Sequence, residues 1–282
     1  MTEGGSNPLA AIDADTRLLY ERVLAEPPNA ELRRIIEAPS TGEPPGALRL
    51  VLVPGLFYRE FPETGADGAF LKSVARTLGL SVETIPVDGA LGLDGGADAI
   101  RDWLIAAGGD ERILLFSLSM GSNEVRHALT RVGAERAFAR VRAWISISGL
   151  PFGSPAVDLT LANPLRRLVL RPWCRFKGWN YESLRDVLRH RPGAAFSLPA
   201  HLAFVQIAAF PQRRHLRDRR SRRLQRWLAP WGPNDGFALL DELARLPGSL
   251  YPVWGADHYL TGNDDLAPRL AALIRHFSER GS

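Results

Sequence analysis

"LLFSLSMGSNEVRHAL", residues 114–129, decides how the chain is read. Its first half is an apolar run of strand length, and its second half has helix-forming character. Between them Ser117, Ser119 and Ser122 crowd a turn rich in small residues. A strand that turns sharply into a helix through small-x-Ser-x-small is the context a nucleophile elbow needs. The positions two before and two after the central serine must be small, because larger side chains would strike the neighbouring helix and strand. Ser117 and Gly121 meet that demand, with serine standing where glycine is usual. Ser119 is then lifted above the carboxyl end of a sheet at a helix N-terminus. There the helix dipole and free N–H groups favour a developing negative charge. The competing reading is a glycine-containing turn with an incidental serine, so the rest of the chain has to supply the partners a nucleophile needs.

Outward from this turn, apolar runs alternate with helical patterns. "LRLVLVPG" (48–55), "SVETIPV" (81–87), "RILLFSLS" (112–119), "VRAWISISG" (141–149), "HLAFVQIAAF" (201–210) and "SLYPVWG" (249–255) read as strands. "AFLKSVARTLGL" (69–80), "ADAIRDWLIAAGG" (97–109), "SNEVRHALTRV" (122–132) and "LAPRLAALIRHFSER" (266–280) read as helices. Gly79 is the expected stop of the first of these. Strands alternating with helices predict an α/β fold with a mostly parallel central sheet covered on both faces. Two stretches interrupt the rhythm, at about 151–200 and about 211–233, and segments of that length are often lids or binding elements. Residues 1–46 read as an N-terminal extension, with a helix at "DTRLLYERVLAE" (15–26) and a linker at "PSTGEPPGA" (39–47). Residues 47–282 are then one domain carrying a cap or lid insertion and a basic insertion.

The composition excludes several classes. With 282 residues the chain is long enough for a full core, and 45% hydrophobic against 23% charged residues argues against global disorder. The N-terminus lacks a basic start followed by an apolar run, and no apolar stretch reaches membrane-spanning length, so a cytoplasmic location is expected. Cys174 is the single cysteine, which excludes an internal disulfide and a multi-cysteine metal site. There is no phosphate-binding Gly-Lys-Ser/Thr loop. "GALGLDGG" (89–96) does not match the dinucleotide fingerprint and reads as a loop. No metal-ligand cluster or cofactor is implied.

A serine nucleophile needs a base, and the base needs a carboxylate that orients it. "WGPNDGFALLDEL" (231–243) puts Asp235 in an Asn-Asp-Gly turn, and "SLYPVWGADHYL" (249–260) puts His258 just past the last strand. Asp218 lies in an arginine run, Asp241 falls on a helical pattern, and Asp257 is read as shaping the His258 loop. Among the other histidines, His127 and His276 fall within helical patterns, and His190, His201 and His215 lack the post-strand setting. The order Ser119, Asp235, His258 resembles that of the α/β-hydrolase superfamily, in particular bacterial serine esterases and lipase-like hydrolases. The resemblance covers residue 48 to the C-terminus outside the two insertions. It implies a catalytic Ser119, His258 and Asp235, with an oxyanion hole from the N–H groups of Met120 and Leu56, or Phe57 as fallback. The "VPGLFY" turn (53–58) departs from the pattern by lacking the usual His-Gly.

The expected activity is cofactor-independent hydrolysis of a small-molecule or lipid-like carboxylic ester or thioester. One alternative is an acyltransferase using the same acyl-enzyme. The other is a non-catalytic module whose function is its basic surface. Lys72 and Lys177 are the only lysines, and Arg213, Arg214, Arg217, Arg219, Arg220, Arg222, Arg223 and Arg226 lie beside Trp227 and Trp231. The upstream insertion adds Trp173, Phe176, Trp179 and Tyr181 among Arg171, Arg175 and Lys177. Such a surface suits an anionic membrane, an acyl carrier, or a lid over the site, and equally a solvated helix face. No nucleic-acid-binding module is recognisable, and nucleic acid is not an expected partner.

Overall fold

A computed structural model describes residues 8–38, 48–56, 58–60, 65–87, 91–176, 181, 185, 197–216, 219–260 and 265–279. Its strands are β1 (Leu48–Val53), β2 (Val82–Thr84), β3 (Arg112–Leu118), β4 (Val141–Ile147), β5 (Ala203–Phe210) and β6 (Ser249–Trp254). They form one sheet in the order β2-β1-β3-β4-β5-β6, and each of the five pairings is parallel. β3 is buried at every position but its first, as a strand covered on both faces requires. All six sequence-expected strands are present.

Alternate residues of each strand feed two cores. Leu50, Leu52, Leu114 and Phe116 face one layer. It contains α2 (Pro27–Glu37), α3 (Ala69–Thr77) and a C-terminal helix, Leu266–Glu279. Val51, Val53, Ile113 and Leu115 face the other, with Trp144 and helices α4 (Gly92–Ala106), α5 (Gly121–Ala128) and α6 (Ala134–Phe138). Helix α3 shows the logic in small. Leu71, Val74 and Ala75 bury its i, i+3, i+4 stripe. It then stops where expected, at Gly79 with φ 72°. The Gly79 and Leu80 N–H groups bond back to the Arg76 and Ala75 carbonyls in a Schellman cap.

Two elements depart from the sequence reading. The N-terminal region contains two helices instead of one, α1 (Pro8–Ala25) and α2, separated at Glu26. Pro27 forces Glu26 into extended geometry and then serves as a first-turn residue of α2. These helices dock on the edge strand β6. The Leu250 N–H donates to Asn29 Oδ1 at 2.6 Å, and the Tyr251 hydroxyl donates to Glu37 at 3.1 Å. The edge that a free β6 would present is thereby occupied. The second departure is at residues 92–96, read as loop, which form the first turn of α4. A Cβ on Gly96 would lie 2.6 Å from Glu124 Oε1, so this glycine is present for close helix packing and not for a turn. The linker 39–47 lies outside the described residues.

The 151–200 insertion begins as two helices, α7 (Pro155–Ala162) and α8 (Pro164–Phe176). The basic insertion forms α9 (Arg219–Leu228), and a short α10 (Leu240–Ala244) follows before β6. The C-terminal helix Leu266–Glu279 is α11. Among the described residues, no helix is long and apolar enough to cross a membrane.

Candidate active site

The sheet places the turn after β3 between the ends of β1 and β4, beside the point where strand order reverses direction. Ser119 sits there with φ 47°, a left-handed conformation that costs a non-glycine residue about 1 kcal/mol or more. Neighbouring backbone holds it in place. Its N–H donates to the Ile147 carbonyl at 3.1 Å, and its carbonyl accepts from Leu150 N–H at 2.9 Å. The small-residue demand is literal at Gly121, where a Cβ would lie 2.5 Å from the Pro54 carbonyl oxygen and 2.9 Å from that of Val53.

Ser117 does more than stay small. It is fully buried, and the Trp144 indole N–H donates to its Oγ at 2.7 Å. The Ser117 and Ser122 hydroxyls are 2.8 Å apart, and those of Ser122 and Ser146 are 2.9 Å apart. Four side chains thus form a buried hydrogen-bonded chain beneath the turn, against which Gly149 packs without room for a Cβ. Glycine at position 117 would remove the hydroxyl that accepts from the Trp144 N–H. Nothing in a one-dimensional pattern joins residues 117, 122, 144 and 146; only the β3–β4 register does.

Chain order brings the other two candidates to the same end of the sheet. Ser119 Oγ is 3.1 Å from His258 Nε2, and His258 Nδ1 is 2.7 Å from Asp235 Oδ2. With Nδ1 protonated, the ring donates to Asp235 and presents Nε2 to the serine hydroxyl as an acceptor. The other Asp235 oxygen, Oδ1, accepts the N–H groups of Phe237 and Ala238 at 2.8 and 2.7 Å. Asn234 holds the turn from below, through bonds to the Gln225 and Gly232 carbonyls and from the Gly236 N–H. His258 and Asp235 are buried, and the Phe237 ring lies 4.5 Å from the imidazole.

The rival residues are engaged elsewhere. His127 on α5 bonds Asp94 at 2.7 Å, which holds the Asp94 carboxyl below its ordinary range with help from Arg131. His201 bonds the Phe138 carbonyl at 3.0 Å, and His215 Nδ1 accepts from the Gln212 N–H at 2.9 Å. His276 lies on α11. Asp241 pairs with Arg22 at 2.8 Å, and Asp257 accepts from the Tyr259 N–H within the His258 loop. His190, Asp218 and Phe57 lie outside the described residues.

Ser119 opens onto a cavity of about 390 Å³, which also has His258, Leu56 and Met120 in its wall. Leu118, Ile147, Leu150 and Phe237 make the wall largely apolar. Both insertions reach it. Ser154 and Val157 come from the α7 region, with the Ser154 hydroxyl tied to the Phe237 carbonyl at 2.8 Å, and Arg220 comes from α9. The two insertions also hold each other. Leu224 and Leu228 of α9 pack with Ala156 and Leu159 of α7. The Trp227 ring has the guanidinium of Arg166 from α8 at 4.3 Å and that of Arg223 at 4.5 Å.

Two further features escaped sequence reasoning. Ser148, at the end of β4, lines the same cavity with φ 45°, and its hydroxyl is buried without a partner among the described residues. Glu124 is buried on α5, and desolvation pushes its carboxyl up to about 8, so it is held neutral at pH 7. A Glu in a helical pattern reads as a solvent-facing residue, and only the approach of Gly96 reveals its burial. Among the described residues, no cluster of His, Cys, Asp or Glu is arranged to hold a metal ion.

No protein-family model matches the sequence, and no curated protein does. Solved structures do match. A carboxyl esterase of metagenomic origin superposes with a TM-score of 0.62 at 20% identity, covering 99% of this chain and 97% of its own. The mature form of a Bacillus licheniformis lipase superposes with a TM-score of 0.50 at 20% identity, covering 82% of this chain and 91% of its own. The architecture is that of the α/β-hydrolases.

Proposed function

We propose that this chain of α/β-hydrolase fold is a serine hydrolase cleaving a small-molecule carboxylic ester or thioester through an acyl-enzyme on Ser119. The observation that carries the reading is the continuous line from Ser119 Oγ through His258 to Asp235, opening onto a largely apolar cavity. The resemblance to structures described as a carboxyl esterase and a lipase supports it.

His258 Nε2 takes the Ser119 proton as Oγ attacks the acyl carbonyl, and Asp235 stabilises the imidazolium that forms. The tetrahedral oxyanion accepts hydrogen bonds from the N–H groups of Leu56 and Met120; each such donor is typically worth about 10²–10³ in turnover. Collapse breaks the bond to the leaving alcohol or thiol, which takes the proton from His258. A water that His258 deprotonates then attacks the acyl-enzyme, and the carboxylic acid departs as Ser119 Oγ takes that proton back from His258. Asp235 needs one oxygen for His258 and the other for its own turn, so it acts as a fixed orienting group. A carboxamide has one acceptor oxygen, so it could serve the turn or the His258 N–H but not both.

Hydrolysis of a short p-nitrophenyl ester tests the reading. Ser119→Ala should lower kcat/KM by about ten-thousand-fold or more, and Asp235→Asn by about a thousandfold or more, in proteins that unfold at the wild-type temperature. Hydrolysis that survives Ser119→Ala would contradict it.

A further inference from the structure

We infer that Arg220 selects acyl substrates that carry an anionic group, a carboxylate or a phosphate, at the mouth of the Ser119 cavity. The inference rests on the hydrolase reading above and names its substrate class. Arg220 stands in the cavity wall with Ser119 and His258, where most of its neighbours are apolar.

The buried stripe of α9 is Ser221, Leu224, Gln225 and Leu228, and Arg220, itself exposed, borders that stripe one turn before Leu224. It sets a charge beside the inward face where the helix lines the cavity. Two neighbouring arginines have structural work. Arg222 Nε donates to the Leu216 carbonyl at 2.6 Å, and Arg223 lies over Trp227 at 4.5 Å. Among the described residues, Arg220 has no carboxylate within ion-pair distance.

Electrostatics points the same way. The first turn of α9 contains arginines and no acidic residue, the unfavourable sense for a helix dipole. A cation among like charges at a helix N-terminus gains from an incoming anion. The helix that carries Arg220 is also held in position. The bond from Arg222 fixes the start of the helix, and Trp227 between Arg166 and Arg223 fixes its end. Solvent exposure of Arg220 screens the interaction, so selectivity of about tenfold is expected instead of the larger values of buried pairs. A cavity of about 390 Å³ lies near the lower end of small-molecule sites. The anion is therefore expected at the mouth, at the far end of a short acyl chain or on the leaving group.

Two pairs of substrates separate those sources. One pair compares the p-nitrophenyl half-ester of a dicarboxylic acid with its neutral methyl diester. The other compares the butyryl thioester of coenzyme A with that of N-acetylcysteamine. The quantity read is the anionic-to-neutral ratio of kcat/KM in wild type, Arg220→Gln and Arg220→Glu; a general loss of folded enzyme cancels in it. The ratio is expected to fall about tenfold with glutamine and further with glutamate, in the first pair for an anionic acyl group and in the second for an anionic leaving group. Ratios unchanged within about twofold in both pairs, with neutral substrates still cleaved, would overturn the inference and leave the hydrolase reading standing. Binding of glutarate and coenzyme A to Ser119→Ala protein is read in parallel by calorimetry. Weakening of either by about tenfold on adding Arg220→Gln supports the inference even if no ester is cleaved; no binding, or binding indifferent to Arg220, counts against it.

Discussion

The turn around Ser119 and the outer face of α8 were built under opposite conditions. At the turn, a left-handed serine is clamped by two backbone bonds, a glycine has no space for a methyl group, and three buried hydroxyls and an indole share one hydrogen-bonded chain. On α8, Leu165, Leu168, Val169 and Phe176 are 73%, 71%, 71% and 83% exposed, on a helix that also carries Arg166, Arg167, Arg171 and Arg175. The first region is over-determined by its own neighbours. Among the ties of the second to the molecule are Arg166 on Trp227 and Cys174, its buried residue. Sequence changes should be punished in the first and tolerated in the second.

The largest effect expected is at Gly121. Alanine there must displace the Pro54 or Val53 carbonyl, and a loss of about 3 kcal/mol or more, with loss of activity, should appear in urea unfolding. Next comes Glu124, where the sign follows from the proton it holds. The folded carboxyl keeps its proton to about 8, while the unfolded one releases it near 4.5. Between those values the unfolded state binds fewer protons, so stability falls as pH rises, by up to about 1.4 kcal/mol per unit, and levels off above. Glu124→Gln removes that slope. The gap between variant and wild type should widen from pH 5 to pH 8, and a constant gap would show that Glu124 ionises freely.

Ser117→Ala is smaller. It removes the hydroxyl that accepts from the Trp144 N–H and should cost about 1–3 kcal/mol, whereas a tolerated alanine would mean that the hydroxyl chain contributes nothing. Ser148→Gly should go the other way, gaining about 1 kcal/mol by relieving a positive φ and an unpaired buried hydroxyl. At the far end of the scale, Leu168→Ser and Val169→Ser on α8 should each stay within about 0.5 kcal/mol of wild type by thermal unfolding. A large loss there would erase the contrast between the two regions.

The same contrast explains what could be read from the chain. The strands were legible because two-sided burial leaves an apolar run, and β3 is such a run from Ile113 onward. The meeting of Ser119, Asp235 and His258 was legible because each follows a strand at the same end of a parallel sheet. Helix α2 was not: residues 27–37 drew no element of their own inside the N-terminal extension, and Asn29 near their start is bonded to the β6 backbone. The first turn of α4 was hidden by its glycines, and the reason for one of them, Gly96, is the Glu124 side chain on another helix. The role of the Ser117 hydroxyl depended on strand register, which periodicity does not convey. Local sterics is written in the sequence; packing between distant elements is not.

The central claim is that Ser119 is an activated nucleophile. Treating the folded protein with a fluorophosphonate and measuring intact mass, followed by peptide mapping, tests it most directly. The account predicts one phosphonyl adduct on Ser119, absent from Ser119→Ala and formed much more slowly in His258→Ala and Asp235→Asn. An adduct that maps to Ser117, Ser122 or Ser148, or folded wild-type protein that takes up no label at all, would contradict it.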